Sequence, residues 1–177
     1  LDRSYSMGAA DTWARAQQAA RQAVQGLTGL DRVSLVLFSS SAELVLRSSV
    51  QATGQACQSV ERVYVQRPIY EPFVAALVER AQRVELNYPD IHRGQIGPLI
   101  FAGQADVLAE QVADAKAKGA TVHTGGVIEH HGGGKWMRPT VVTGVTRDMK
   151  VLTDETFGPI IPVIPFDDVA EGVALAN

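Results

Sequence analysis

The run from residue 160 to residue 166 constrains the fold more than any other stretch of the 177-residue chain. Its sequence, IIPVIPF, is apolar at every position, so both faces of the strand that it predicts must be covered. Strands of this kind are typical of parallel sheets with helices packed on either side. Pro162 and Pro165 have no amide hydrogen to donate, and they predict that the strand lies near an edge or an end of its sheet.

Helices and strands alternate along the rest of the chain. Periodicity, prolines at helix starts and a glycine at a helix end predict a strand at 60–65, a helix at 68–84, a helix at 104–118 that stops at Gly119, and a strand at 120–124. Residues 168–171, DVAE, have the form of a capping box that opens a last helix. This order predicts an α/β fold with a layered, mostly parallel sheet and flanking helices.

The segment 130–134, HHGGG, predicts a mobile loop. Adjacent histidines also raise a metal-site hypothesis, although pairs on a helix or pairs combined with cysteines would be stronger indications. We therefore interpret this segment as a solvated loop.

The first fifty residues predict a separate α/β opening. An alanine-rich helix is expected at 11–27, a strand at 32–38, and a second strand at 42–46 that pairs with it across three serines. The character of the sequence changes near residues 48–50, without a Gly/Pro linker. We therefore expect two blocks, residues 1–49 and residues 50–177.

Cys57 is the single cysteine of the chain. A thiol can be a nucleophile, a metal ligand or a small buried hydrophobe, and a lone cysteine is most often the last of these. Its place between Gly54 and the predicted strand at 60–65 puts the sulfur at a junction where a side chain can face a cleft. The residues alone leave its role open.

Two longer sequence motifs indicate a role for Cys57 by resemblance to a known family. GQACQSVERVYV, residues 54–65, resembles the active-site cysteine segment of the aldehyde dehydrogenase superfamily, and ETFGPIIPV, residues 155–163, resembles its cofactor-ribose segment. They stand in the family's order and with its habitual gap, here 98 positions from Cys57 to Glu155. Two further stretches between them also resemble the family, IGPLIFAGQADVLAEQVADAKAKGATVHTGG and RPTVV. The likeness therefore covers about residues 50–177.

The resemblance implies an oxidoreductase that acts on a small aldehyde with NAD or NADP. The Cys57 thiolate would attack the carbonyl, hydride would pass to the cofactor, and water would hydrolyse the resulting thioester. The Cys57 amide would help hold the oxyanion, Gln58 would border the substrate pocket, Glu155 would bind the nicotinamide ribose, and Phe157 would pack near the nicotinamide ring.

In that family the glutamate base, the oxyanion asparagine and the nucleotide-binding domain precede the cysteine, where this chain has unrelated sequence. We therefore expect a segment that is inactive or nearly so by itself.

Asp2, Ser4 and Ser6 form an Asp-x-Ser-x-Ser pattern, and with the following helix they resemble the start of a von Willebrand factor A-type domain. That resemblance implies a Mg²⁺ site and a metal-dependent binding module, with its remaining ligands further along the chain. The alternative is a turn and helix cap without metal. A mosaic of two family segments without a selected function is a further possibility.

Composition narrows the remaining classes of function. The net charge is -3 and charges of both signs are mixed along the sequence, so no basic cluster predicts nucleic-acid binding. No apolar run has the length of a membrane span, and one cysteine excludes an internal disulfide and fits a reducing compartment such as the cytoplasm. The chain starts with Leu1 and stops within a helical pattern at Asn177, so we expect a fragment. The aldehyde and the oligomeric state are left open.

Overall fold

The computed structural model describes residues 42–176. The helices are α1 (Ala42–Val50), α2 (Arg67–Gln82), α3 (Gln104–Ala117), α4 (Lys150–Thr153) and α5 (Val169–Ala176), and a short turn at Gln51–Gly54 with non-helical backbone angles follows α1. The strands are β1 (Val63–Gln66), β2 (Thr121–Val122), β3 (Ile128–His131), β4 (Gly134–Met137), β5 (Thr140–Thr143) and β6 (Ile160–Phe166).

Within these residues, four strands form one sheet in the order β1-β6-β5-β2. β1 and β5 both run parallel to β6, and β2 pairs antiparallel with β5. β3 and β4 form a separate hairpin. The prediction of an α/β fold with a mostly parallel sheet and flanking helices is confirmed. No helix of residues 42–176 combines the length and the apolar character that a membrane crossing needs.

Helices cover both faces of the sheet, as the apolar β6 run requires. Ile161 and Val163 belong to one buried cluster with Val45 of α1 and Leu77 of α2. Ile160 belongs to a second buried cluster, on the side of α3 and α4. Burying an aliphatic side chain of this size stabilises the fold by about 1.5–3 kcal/mol, so both clusters contribute to holding β6 in place.

Of the two positions predicted for β6, the edge of the sheet is wrong, because β6 lies between β1 and β5. Its two ladders are staggered: β5 pairs with residues 160–163 and β1 with residues 163–166. Pro162 therefore has a partner strand on the β5 side, and Pro165 has one on the β1 side. An interior strand can carry prolines where a neighbour is missing on one side, since no ladder hydrogen bond is lost there.

The predicted strand at 42–46 is also wrong. Its residues begin α1, whose buried positions are Ala42, Val45, Leu46, Ser49 and Val50. Steps of three and four residues are the period of a helix face, and this face packs in the same cluster as α2 and β6. α1 runs through the predicted boundary at 48–50. The predictions for residues 1–41 lie outside the described residues.

The predicted loop at 130–134 is a tight hairpin that joins β3 to β4. His131 pairs with Gly134, and the two residues between them, Gly132 and Gly133, have φ values of 56° and 79°. Two successive positive φ angles are what a two-residue hairpin turn demands, and glycine supplies them without steric cost. The Trp136 indole N–H donates to the His131 carbonyl at 3.0 Å and closes the turn.

The other predicted elements are present with shifted ends. α2 and α3 match the predicted helices within two residues, Gly119 follows α3 at a φ of 93°, and β1 begins three residues later than predicted. The capping interaction at the start of α5 is confirmed, since the Glu171 amide donates to the Asp168 carboxylate at 2.9 Å. The Glu171 carboxylate accepts from the Asp167 amide at 2.6 Å.

Candidate active site

The cysteine loop, residues 51–59, joins α1 to the extended stretch before β1. Ala52, Thr53 and Gly54 have successive φ values of 50°, 61° and 73°, so the chain makes a left-handed turn that ends three residues before the cysteine. The Thr53 hydroxyl donates to the Gly97 carbonyl at 3.2 Å. The Gln55 side-chain oxygen accepts from the Ile100 amide at 2.6 Å. These contacts fix the loop to the segment before α3.

Cys57 lies at the outer end of this loop and is exposed. The interpretation of a small buried hydrophobe therefore does not apply. Thr53, Gly54 and Gln55 are buried, which anchors the loop on one side while the cysteine faces outward. An exposed thiol on an anchored turn is accessible to a small electrophile.

Residues 154–159 join α4 to β6, and we call them the ribose loop after the family segment that their sequence resembles. Glu155 is exposed, Thr156 is buried and Phe157 is half-buried. The Gln104 side chain donates to the Thr156 carbonyl at 2.7 Å, and the Gln111 side chain donates to the Glu155 carbonyl at 3.3 Å. Both glutamines lie on α3, seven positions apart and so on one helix face, and they hold two consecutive carbonyls of the loop.

The two loops are in direct contact. A Cβ built on Gly54 would lie 2.7 Å from the Pro159 nitrogen and closer still to the Gly158 carbonyl group. The Glu61 carboxylate, beyond the cysteine, accepts a hydrogen bond from the Phe157 amide at 2.8 Å. The chain thus brings the Cys57 segment and the Glu155 segment together, although they lie almost a hundred positions apart in sequence.

Sheet topology explains this contact. β1 and β6 are parallel neighbours, and each loop precedes its strand, so both loops lie at the amino ends of adjacent strands. Ligand sites of open α/β sheets usually lie at the carboxyl ends of the strands, whereas this candidate site lies at their amino ends.

α4 is held at the entrance to the ribose loop by charged side chains of α3. The Asp114 carboxylate accepts from the Lys150 amide at 2.8 Å and caps the short helix, and it also pairs with Lys118 at 2.9 Å. The hydrogen bond from Lys118 lowers the pKa of Asp114, with a further contribution from the Lys150 amide. Lys150 forms an ion pair with Glu110, which raises the pKa of Lys150.

Cys57, Glu155 and Phe157 received their roles by resemblance, and these roles stay predictions. Sequence reasoning did not single out Glu61, Gln104 or Gln111, whose side chains contact residues 155–157. Gln111 had a visible signal, since an amide side chain stands in the apolar stripe of α3 and is 1% exposed. Asp2, Ser4 and Ser6 lie outside the described residues, and their Mg²⁺ site stays a prediction. Residues 42–176 contain no group of three or more His, Cys, Asp or Glu side chains placed to hold a metal ion.

The side chains of the ribose loop suit a dinucleotide. An exposed carboxylate can accept hydrogen bonds from both hydroxyls of a ribose, and a half-buried aromatic ring offers a face or edge to a flat heterocycle. Glu155 and Phe157 would be the residues that hold NAD or NADP.

The fold and the paired loops define an α/β protein with an exposed cysteine on a loop that packs against the loop of Glu155. The sequence model of the aldehyde dehydrogenase family matches residues 37–177. The chain therefore belongs to the aldehyde dehydrogenase family. The match starts ahead of the predicted boundary at residue 50.

Individual relatives agree with this assignment. The chain is 37% identical over 166 residues to 2-hydroxymuconic semialdehyde dehydrogenase of Pseudomonas putida. This match covers 84% of this chain and 34% of that enzyme. Among solved structures it resembles the Anabaena variabilis protein PutA, described as an aldehyde dehydrogenase, with a TM-score of 0.75 and 48% identity over 77% of this chain and 29% of that one.

A third similar structure is that of 3,6-anhydro-L-galactose dehydrogenase in complex with NAP, with a TM-score of 0.71 and 35% identity over 77% of this chain and 29% of that one. The chain thus spans about a third or less of the length of these proteins.

Proposed function

We propose that this chain carries the cysteine and ribose-binding part of an aldehyde dehydrogenase that oxidises a small aldehyde with NAD or NADP. The observation that carries the proposal is the contact between the cysteine loop and the ribose loop. Gly54, three residues before Cys57, packs against Gly158, three residues after Glu155. A nucleophile and a cofactor-binding carboxylate on touching loops are what transfer between an aldehyde and a dinucleotide needs.

The roles of the residues follow from their chemistry. The Cys57 thiolate would add to the aldehyde carbonyl and form a thiohemiacetal, and the Cys57 amide would donate to its oxyanion. Glu155 and Phe157 would hold NAD or NADP, which would supply a hydride acceptor for this carbon, so that a thioester would remain on Cys57. Water would then cleave the thioester and free the thiol with the carboxylic acid. Glu155 would orient the ribose and Phe157 the nicotinamide ring.

We further propose that residues 1–177 alone turn over aldehydes slowly or not at all. The matched region amounts to 34% of the Pseudomonas putida relative, so the active site of that enzyme can draw on much sequence that this match does not include. Losing a positioned acid or base alone costs about 100- to 10,000-fold in rate. We place the protein in the cytoplasm, because a single cysteine fits a reducing compartment.

The test uses the full chain and two variants. Wild type, Cys57→Ala and Glu155→Gln are titrated with NAD⁺ and NADP⁺, and each is assayed for NAD(P)H formation with several aldehydes. We expect measurable nucleotide binding that weakens in Glu155→Gln and stays near wild type in Cys57→Ala, with little turnover in any of the three.

Two results would contradict the proposal in different ways. Binding that is unchanged by Glu155→Gln would remove the ribose role of that carboxylate. Robust turnover in the wild type that Cys57→Ala abolishes would confirm the nucleophile and refute the expected inactivity.

A further inference from the structure

Phe157 has a backbone conformation that residues with side chains seldom adopt. Its φ is 46°, in the left-handed region, where the Cβ crowds the carbonyl oxygen. Such a conformation persists only where the surrounding structure holds it, and it is found preferentially at ligand-binding sites. The groups that hold Phe157 are therefore of interest.

The Glu61 carboxylate is one of these groups. Its Oε1 accepts from the Phe157 amide at 2.8 Å across 96 positions of sequence. The neighbouring Arg62 donates from Nη2 to the Leu152 carbonyl at 2.6 Å. Two consecutive side chains of the cysteine segment thus reach both ends of residues 152–157, the stretch that carries Glu155.

Gln104 and Gln111 hold the same loop from α3 through the carbonyls of residues 156 and 155. Their contacts fix the loop relative to the helix layer. The Glu61 contact fixes it relative to Cys57, because Glu61 is only four positions beyond the cysteine and leads directly into β1. A carboxylate that accepts a backbone N–H also makes a stronger hydrogen bond than a neutral acceptor does.

We propose that Glu61 is a positioning residue of this site. Its carboxylate holds Phe157 in the left-handed conformation and so sets Glu155 and Phe157 relative to Cys57. The inference rests on the proposed function, because those two residues are the ones that would contact the dinucleotide.

The full chain is compared with Glu61→Ala, which removes the acceptor, and with Glu61→Gln, which keeps an oxygen acceptor in the same place. Glu71→Ala, at an exposed position of α2, is the matched control.

Amide hydrogen exchange at Phe157 is measured by NMR, and binding of NAD⁺ and NADP⁺ by titration. In Glu61→Ala we expect exchange at Phe157 to quicken at least about 10-fold and nucleotide binding to weaken at least about 5-fold, since a bond to an ionised acceptor is lost. Glu61→Gln should recover most of both losses, and Glu71→Ala should match wild type.

If the Phe157 amide exchanges as slowly in Glu61→Ala as in wild type, the inference is overturned, whatever the effect of the variant on nucleotide binding. Faster exchange with unchanged nucleotide binding would overturn it too, because the contact would then be structural only. If Glu61→Ala does not fold, Glu61→Gln decides: near-wild-type exchange and binding support the role, and loss of both in a folded protein refutes it. A wild type that binds neither nucleotide refutes the proposed function, while exchange at Phe157 still decides the contact.

Discussion

Gly54 of the cysteine loop lies against the backbone of Gly158 in the ribose loop, with no room for a Cβ between them. The contact is backbone to backbone, so a side chain at Gly54 could not be accommodated by a rotamer change. Gly54 also has a φ of 73°, which adds conformational strain to any substitution. This pair therefore sets how closely the cysteine loop and the ribose loop approach.

Gly54→Ala should destabilise the protein more than its left-handed φ alone explains. Gly119→Ala is the matched control, because Gly119 has a φ of 93° but open space around a built Cβ. We expect Gly119→Ala to lower the free energy of unfolding by about 1–2 kcal/mol, because of the backbone conformation at this position. Gly54→Ala should cost more than that, since two backbone segments must also separate. Urea unfolding of both variants measures the difference, and equal losses would show that the loops can move apart freely.

Gln104→Ala should loosen the ribose loop with a modest loss of stability. The variant removes the 2.7 Å hydrogen bond to the Thr156 carbonyl, and a bond of this kind contributes about 0.5–1.5 kcal/mol. Hydrogen exchange at residues 155–157 should quicken in this variant. The exposed Gln82→Ala, at the end of α2, is the control and should change neither quantity. Unchanged exchange in Gln104→Ala would show that α3 does not restrain the loop.

The Glu129 carboxylate should make stability depend on pH. His131 and Arg138 both hydrogen-bond to it, at 2.9 Å and 2.8 Å, and they lower its pKa below the ordinary value of 4.5. A group whose pKa is lower in the folded state stabilises the fold above its unfolded pKa, and this stabilisation is lost as the pH falls through the folded pKa.

Glu129→Gln should therefore be less stable than wild type at pH 6, and the gap should shrink as the pH drops below about 4.5. Thermal melts across this range compare the two, with Glu71→Gln as an exposed control that should show no such trend. A gap that stays constant with pH would mean that the charge of Glu129 does not contribute.

The fold class was predictable because its main determinant is local. A strand that is apolar at every position, such as β6, cannot face water on either side, so helices on both faces follow directly. Roles for Cys57 and Glu155 could be proposed from the sequence, since each residue stands in a recognisable motif.

The strand order and the supporting contacts could not be predicted in the same way. The place of β6 depends on how two ladders are staggered, which no single segment encodes. Glu61 was an ordinary surface acid in the sequence, and its partner at Phe157 is fixed only by the pairing of β1 with β6. The α1 stretch was mistaken for a strand because short apolar runs fit both periods.

Leu108 and Gly158 should be energetically coupled. A Cβ at Gly158 would overlap the Leu108 side chain, and Leu108 is fully buried in the cluster beneath the loop. Leu108→Ala should cost about 2–5 kcal/mol by opening a cavity. Gly158→Ala alone should also destabilise, by overpacking, at about 1–3 kcal/mol.

The double variant should be more stable than the sum of the two losses predicts, because the added methyl group then occupies space that Leu108 has vacated. Residues in direct contact show interaction energies of about 0.5–3 kcal/mol, which urea titration of all four proteins can resolve. Ala115→Gly paired with Gly158→Ala serves as a comparison within the same cluster, since Ala115 is not among the atoms nearest to a Cβ at Gly158. Additive losses for Leu108 and Gly158 would show that the ribose loop adjusts to the added methyl group without the help of α3.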